Sequence, residues 1–182
     1  MDPAVNFCSS CGNKVAFRVP PGDSLPRHVC DHCGAIHYQN PRVVVGALPI
    51  WRDQVLLCKR AIEPRHGYWT LPAGFMENEE TVAEGAMRET LEEACAQIKI
   101  EGMYSVISVP RVNQVHVFYR AQLIGPNFSP GEESLETALF TESEIPWAEI
   151  AFPTVEFTLK RYFEDLHRGS FGFHSMDFTL PR

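Results

Sequence analysis

The residues of this chain that could do chemistry are concentrated in one acidic stretch. Residues 74–96 contain seven glutamates and a single basic residue, Arg88, which gives a net charge of −6 in a chain whose formal net charge is −7. If the stretch is helical, Glu89 and Glu93 lie one turn apart on one face, where their negative charges repel. Carboxylate oxygens bind divalent cations well, and a cation would relieve this repulsion. The stretch is therefore either an acidic surface helix or a site for divalent metal ions.

A second set of chemically distinctive residues lies near the N-terminus. Two C-x-x-C pairs, each followed by glycine, are separated by eighteen residues: Cys8 and Cys11, then Cys30 and Cys33. Two turns that each present two thiolates are typical of a tetrahedral zinc site, and four protein ligands leave no position for water. Redox thiols or disulfides are the alternatives, but a dithiol enzyme needs only one such pair. We predict that these four cysteines bind a structural Zn²⁺.

The acidic stretch must be held by a helix that packs on a sheet. Thr81-Val-Ala-Glu84 has the form of a capping box, which predicts a helix that begins near residue 82. Small or aliphatic residues recur there every fourth position and predict a packing stripe opposite the glutamates: Val82, Ala86, Thr90 and Ala94. Residues 155–166 predict a second amphipathic helix, ended by Gly169. The aromatic tail that follows, residues 171–178, predicts an edge strand or a dimer contact.

Composition limits the classes of function. With 182 residues, of which 45% are hydrophobic and 21% charged, the chain can form one core and a small additional module. No run approaches the roughly 18 apolar residues of a membrane helix, and the N-terminus does not resemble a signal peptide, so we expect a cytoplasmic protein without a membrane partner. A pI near 5.5 and the zero net charge of residues 1–40 argue against nucleic acid as a partner. Asn40-Pro41 is a plausible junction, so we predict a zinc ribbon over 1–40 and a second domain over 41–182.

The spacing within the acidic stretch resembles the Nudix box. That pattern is Gly, five residues, Glu, seven residues, then Arg-Glu-U-x-Glu-Glu-x-Gly-U, where U is aliphatic, and the chain matches it from Gly74 through Glu80 to the run 88–93. Thr90 and Cys95 stand where the pattern has an aliphatic residue and a glycine, and we expect local repacking there. The resemblance implies an α/β fold, a Nudix α/β/α sandwich. It also implies a hydrolase that acts on phosphoric anhydride bonds with Mg²⁺ or Mn²⁺.

The resemblance also assigns roles within the box. Glu89 and Glu93 are implied to be the main ligands of the divalent metal ions, with Glu92 on a further ion or positioning a water. The carbonyl group of Ala73 is implied to complete one ligand shell. Arg88 is implied to orient these glutamates through charge-assisted hydrogen bonds. These residues form the expected catalytic and metal-binding set within the box.

Residues outside the box are expected to complete the site. Many Nudix enzymes use a further carboxylate as a metal ligand or base, and Glu136 matches the position used in the zinc-ribbon subfamily, with Glu132 and Glu133 as competitors. His116 alternates within a predicted strand and is expected to be structural. Arg60 and Arg65 could bind phosphate. Trp69 and Tyr119 could stack on a base, with packing in the core as the alternative.

A zinc ribbon ahead of a Nudix domain is similar to the zinc-ribbon Nudix hydrolases. Within that group the chain most resembles the chloroplast FAD pyrophosphatases of plants and, more distantly, the NADH pyrophosphatases, whose downstream signature is absent at residues 107–113. The resemblance implies a metal-dependent pyrophosphatase for a nucleoside diphosphate linked to another moiety, such as FAD or ADP-ribose, which releases AMP. The alternatives are an NADH pyrophosphatase, an RNA-end-processing enzyme, and a non-catalytic nucleotide sensor or adaptor with the ribbon as contact surface. The neutral ribbon is typical of a scaffold or dimerisation element, so we expect a homodimer.

Overall fold

The computed structural model describes residues 5–178, which belong to two compact units. One unit ends at Pro41 and the other begins at Arg42. The first contains a small antiparallel sheet of three strands: β1 (Val15–Arg18), β2 (Arg27–Cys30) and β3 (Ile36–His37). Among residues 5–178, no helix is long and apolar enough to cross a membrane.

The second unit contains an eight-stranded mixed sheet and two helices. Its sheet has the order β10-β5-β4-β9-β8-β11, with β6 paired to β5 and β7 paired to β4. The neighbours β4 and β9 are parallel, as are β8 and β11. The elements are β4 (Arg42–Trp51), β5 (Gln54–Arg60), β6 (Trp69–Thr70), β7 (Ala73–Phe75), α1 (Val82–Ala94), β8 (Ile98–Val109), β9 (Gln114–Leu123), β10 (Ser134–Phe140), α2 (Pro153–Arg168) and β11 (His174–Asp177).

The two helices pack on opposite faces of this sheet. Successive side chains of a strand point to opposite faces, and in β4 Ala47 clusters with α1 whereas Leu48 clusters with α2. The predicted α/β/α sandwich is therefore confirmed. Ala86, Thr90 and Ala94 are fully buried and form the predicted packing stripe of α1. The hydroxyl of Thr90 donates to the carbonyl of Ala86 at 2.7 Å, so the polar residue at this position is satisfied within the helix.

The strand β4 changes its antiparallel partner along its length. Its last residues pair with β5, whereas residues 44–46 pair with β7, the short strand that begins the acidic stretch. Gly46 is required at this crossing because a Cβ there would overlap the Cβ of Ala73 and crowd the carbonyl oxygen of Pro72. The arrangement brings β7 directly against α1, where Gly74 lies beside Glu89 and the N–H of Ala73 donates to Glu93.

Two segments depart from regular geometry. Residues 98–109 form the single strand β8, in which two register shifts accommodate an irregular middle. Residues 125–131 form a loop that is anchored to the C-terminus of α1. The backbone N–H of Ser129 donates to the carbonyl of Ala94 at 2.9 Å, and that of Gly131 donates to the carbonyl of Glu93 at 3.0 Å. A Cβ at Gly131 would overlap the carbonyl of Glu92, so only glycine allows this close approach.

The aromatic tail forms an edge strand, one of its two predicted outcomes. β11 adds in parallel to β8 at the end of the sheet. Asp165 of α2 is buried beside it and accepts hydrogen bonds from the hydroxyl of Tyr104 at 3.0 Å and the N–H of Gly172 at 3.1 Å, while His174 Nε2 lies 2.7 Å away. Burial alone raises the pKa of Asp165, but these hydrogen bonds outweigh it and lower the pKa. The network ties the tail to the core, and the homodimer stays a prediction.

Candidate active site

The loop and helix that carry the glutamates are shaped by local sequence. Thr81 caps α1: its hydroxyl accepts from the N–H of Glu84 at 3.2 Å, and the Glu84 carboxylate accepts from the N–H of Thr81 at 2.8 Å. Gly74 of β7 lies so close to α1 that a Cβ there would overlap the carboxylate of Glu89. The glycine that opens the acidic stretch therefore allows the backbone to approach a functional side chain.

Arg88 is the centre of an ion-pair network. Its guanidinium donates two hydrogen bonds to Glu80, at 2.9 and 2.8 Å. The third nitrogen, Nη1, donates to Glu89 at 2.7 Å and to Glu92 at 3.0 Å, and Nη2, one of the two that bind Glu80, also donates to the Phe75 carbonyl at 3.2 Å. The hydrogen bonds from Arg88 lower the pKa of Glu80 to about 2. Arg88 thus joins the loop of the box to two of its helical glutamates.

Glu89 and Glu93 are the two buried carboxylates of the site. They are 8% and 6% exposed, and Glu93 accepts a hydrogen bond of 3.4 Å from the backbone N–H of Ala73. Burial, followed by repulsion from Glu89, raises the pKa of Glu93 to about 8. Burial also raises the pKa of Glu89 although Arg88 donates to it. Raised pKa values mean that ionising both carboxylates is unfavourable in the protein alone. A divalent cation bound between them would stabilise the ionised forms, so the pair is suited to a divalent-metal site.

The three candidate carboxylates outside the box lie in different places. Glu132 and Glu133 line the same cavity as Glu89 and Glu93, and the charge of Glu133 contributes to the raised pKa of both buried glutamates. Glu136, by contrast, is not among the described residues that line this cavity. It lies in β10, its side chain is 57% exposed, and its carboxylate is 3.8 Å from Lys59. The structure therefore brings Glu133, and not Glu136, to the box glutamates.

The cavity beside the glutamates has a volume of about 1090 Å³ and extends from α1 to the first turn of α2. Arg60 lines it and its charge lowers the pKa of Glu93, against the larger effect of burial. Trp69 does not line it: this ring is buried and meets Phe140 edge to face, with centroids 4.9 Å apart. Arg65 and Tyr119 also lie outside the described lining. His116 and Gln114, which the sequence did not mark as functional, do line it.

The four predicted zinc ligands converge in the first unit. All four thiols are free, and their sulfur atoms lie within 4.8 Å of one another. Cys8 and Cys33 are 3.6 Å apart and Cys11 and Cys30 are 3.5 Å apart, near the roughly 3.8 Å that a tetrahedron with Zn–S bonds of about 2.3 Å requires. Each pair sits in a turn closed by a glycine N–H that donates to a cysteine carbonyl at 2.9 Å. The donor set and its geometry fit zinc.

Comparison with known proteins agrees with both parts of this description. A zinc-ribbon family model described as Nudix N-terminal matches residues 6–39, and the NUDIX domain model matches residues 40–163. The crystal structure of a NUDIX hydrolase from Nitrosomonas europaea is 54% identical, with a TM-score of 0.92, and the match covers 95% of this chain and 98% of that one.

Two curated relatives carry more specific names. An ADP-ribose pyrophosphatase from Methanocaldococcus jannaschii is 30% identical over 113 residues, which are 60% of this chain and 67% of the relative. An NAD-capped RNA hydrolase, NudC, from Photorhabdus laumondii is 35% identical over 106 residues, 57% of this chain but only 38% of the relative's length. Neither name mentions FAD, so the narrower resemblance to the FAD pyrophosphatases stays a prediction. Since the NUDIX model covers well over half of the residues, the chain belongs to the Nudix hydrolase family.

Proposed function

We propose that this protein is a metal-dependent pyrophosphatase that cleaves a nucleoside diphosphate linked to a second moiety, of the ADP-ribose or FAD type, and releases AMP. The observation that carries the proposal is the buried pair Glu89 and Glu93, which lines a large cavity and whose pKa values are raised. The name of the Methanocaldococcus relative supports ADP-ribose as a substrate.

The residues of the box fit Mg²⁺ or Mn²⁺. Glu89, Glu93 and Glu92 would hold the ions through carboxylate oxygens, with the Ala73 carbonyl as a further oxygen donor. Bound there, such ions neutralise the charge of the diphosphate and lower the pKa of a water molecule. Arg88 keeps Glu89 and Glu92 in place through hydrogen bonds of 2.7 and 3.0 Å. Arg60, from the cavity wall, would bind a phosphate oxygen.

Glu133 is the carboxylate that we assign as the further ligand or general base. It sits two residues after Gly131, whose N–H is fixed to the carbonyl of Glu93, so the loop delivers this side chain to the end of α1 that carries the metal ligands. The same anchoring would keep it in place during the reaction. Glu136 instead pairs with Lys59 across β10 and β5, and its carboxylate lies 3.8 Å from the Lys59 ammonium.

Substitution of Glu133 and Glu136 separates these two assignments. We expect Glu133→Gln to lower kcat about a hundred-fold, the usual loss when a general base is removed, and Glu136→Gln to change it by less than about twofold, as for a surface ion pair. Glu164→Gln, a change of an exposed glutamate of α2 whose ion pair with Arg161 lies on the surface, is the matched control and is expected to leave kcat unchanged. Steady-state hydrolysis of ADP-ribose with Mg²⁺ measures all three. Loss of activity in Glu136→Gln with full activity in Glu133→Gln would reverse the assignment.

A second candidate function is hydrolysis of NAD-linked substrates, either free NADH or an NAD-capped RNA end. The observation that favours it is the match to the NudC relative, although this chain spans well under half of that protein. The zero net charge of residues 1–40 gives no basic surface for RNA. A non-catalytic adaptor is the third alternative, and the retention of Glu80, Glu89, Glu92 and Glu93 argues against it.

One substrate panel tests the proposed function. The protein is incubated with ADP-ribose, FAD, NADH and NAD-capped RNA, with Mg²⁺, with Mn²⁺ or with EDTA, and the products are identified by chromatography. We expect AMP from ADP-ribose or FAD, formed with either metal and not with EDTA. Cleavage of NADH or capped RNA alone would select the second candidate. Absence of cleavage across the panel would refute the pyrophosphatase assignment.

A further inference from the structure

One end of the cavity is a patch of the central sheet that α2 does not cover. Gln114, His116 and Phe118 alternate along β9, so their side chains share one face. Phe118 belongs to the core beneath α2, which identifies that face as the α2 side. Phe152, which precedes α2, and the first turn of the helix line the cavity together with Gln114 and His116. We call this part of the cavity, formed by Val109, Gln114, His116, Phe118 and Phe152, the neutral end.

The strand register places the neutral end next to the start of the Nudix box. Val44 of β4 pairs with His116 on one side and with Phe75 of β7 on the other. Val109 pairs with Gln114 across the β8–β9 hairpin. A molecule bound at the neutral end is therefore one strand away from β7, which leads into the metal-binding glutamates. This is the separation expected of a second part of the same substrate.

The neutral end offers hydrogen bonds without charge. His116 Nε2 lies 2.9 Å from Gln114 Oε1, an acceptor, so this ring nitrogen is the one that donates. Burial lowers the pKa of His116 to about 4, which leaves the imidazole neutral near pH 7. The remaining groups are an acceptor, His116 Nδ1, and a donor, the Gln114 amide nitrogen. Among residues 5–178, the hydrogen bond that joins Gln114 and His116 is the one made by these two side chains, so both groups remain available to a ligand.

The walls around this pair are apolar and aromatic. Val109, Phe118 and Phe152 surround it, and among the described lining residues from β8, β9, the hairpin between them and the first turn of α2, Arg111 is the one charged side chain. A phosphate group is bound best by arginine or lysine. Arg88 is held at the box glutamates. Arg60, whose guanidinium lies 5.1 Å from the centre of the Phe152 ring, borders the neutral end without contacting Gln114 or His116 through a hydrogen bond. A neutral donor and acceptor between apolar walls match the edge of an uncharged heteroaromatic ring.

We propose that Gln114 and His116 are the specificity-determining pair of this enzyme and bind the hydrogen-bonding edge of a nucleobase through one donor and one acceptor. The proposal rests on the proposed function, because it places the base of the nucleoside diphosphate at the neutral end while the diphosphate lies at the glutamates. The cavity, at about 1090 Å³, has room for both parts together.

Binding of adenosine in the presence of EDTA tests the pair without any hydrolysis. His116→Phe keeps an aromatic ring but removes both nitrogens, and Gln114→Leu removes the amide. His167→Phe, on the exposed end of α2, is the matched control. Because each variant removes one hydrogen bond to the base, we expect the Kd for adenosine, measured by NMR titration, to rise about tenfold in each. The control is expected to bind like the parent protein, and thermal melts verify that all variants are folded.

A kinetic comparison provides a second readout. The KM for ADP-ribose should rise about tenfold in both variants with kcat unchanged, whereas an ADP-ribose analogue without the adenine ring should be cleaved equally by variants and parent. No adenosine binding by the parent protein, or equal binding by both variants, overturns the proposal. If the parent cleaves no diphosphate but binds adenosine through this pair, the proposed function fails and the assignment of the neutral end stands.

Discussion

Glu93→Gln is expected to lower kcat/KM for ADP-ribose by roughly 10²–10³-fold, the loss that follows removal of one preorganised charge-stabilising group. The substituted amide would keep the shape of the side chain but lose the anion that holds a divalent cation. The same change should leave the melting temperature of the metal-free protein unchanged or higher. Burial and the neighbouring Glu89 make the ionised form of Glu93 unfavourable, and a neutral amide removes that cost.

The combination of these two effects is the informative result. A substitution that disrupted α1 would lower both the activity and the melting temperature. Replacement of a catalytically required carboxylate that destabilises the fold lowers the activity but leaves the melting temperature unchanged or higher. Glu164→Gln is the matched control, because Glu164 is an exposed residue of α2 whose ion pair with Arg161 lies on the surface. Full activity of Glu93→Gln with Mg²⁺ would contradict the assigned role.

Cys30→Ser is expected to abolish zinc binding and to unfold the first unit. Among the described residues before Arg42, the buried hydrophobic side chains are Cys8, Val29 and Cys30, so little core remains once the metal is lost. Small units of this kind depend on the metal for most of their folding free energy. Purified Cys30→Ser should contain less than about a tenth of the zinc of the parent. Its amides up to residue 41 should lose protection from hydrogen exchange.

A matched cysteine variant controls for loss of a thiol as such. Cys95 is exposed at the end of α1, far along the chain from the zinc cluster, and Cys95→Ser should retain full zinc content. Metal analysis by mass spectrometry measures both proteins. Zinc bound at one equivalent in Cys30→Ser, with unchanged exchange protection, would show that the four cysteines are not the ligands.

Local patterns predicted much of this molecule because the forces involved are local. The capping box at Thr81 and the buried stripe of α1 follow from helical periodicity, and both are present. The helix α2 ends at Gly169, which has the positive φ of 72° expected of a helix-ending glycine. Cys95 occupies a similar left-handed position, with φ 47°, which explains why the Nudix pattern has glycine there.

The remaining features depend on how distant segments meet. Ser134 and Glu136 are separated by a register shift in β10. Such a bulge re-aims side chains, so the position of Glu136 in the sequence does not determine which way it faces. The loop of residues 125–131, which precedes Glu133, reaches α1 because Gly131 permits close contact with the Glu92 carbonyl. His116 lines the cavity together with the first turn of α2, which is distant from it in the sequence. Each of these facts requires the tertiary structure.

Titration with Mn²⁺ followed by electron paramagnetic resonance tests most directly whether the box glutamates bind a divalent cation beside the substrate cavity. The measurement requires neither a substrate nor turnover, and it is made on the parent protein, Glu93→Gln and Glu164→Gln. We predict that the parent and Glu164→Gln deplete free Mn²⁺ with at least one equivalent bound, and that Glu93→Gln binds about tenfold or more weakly. Equal Mn²⁺ binding by all three proteins would contradict the assignment of Glu93 as a metal ligand.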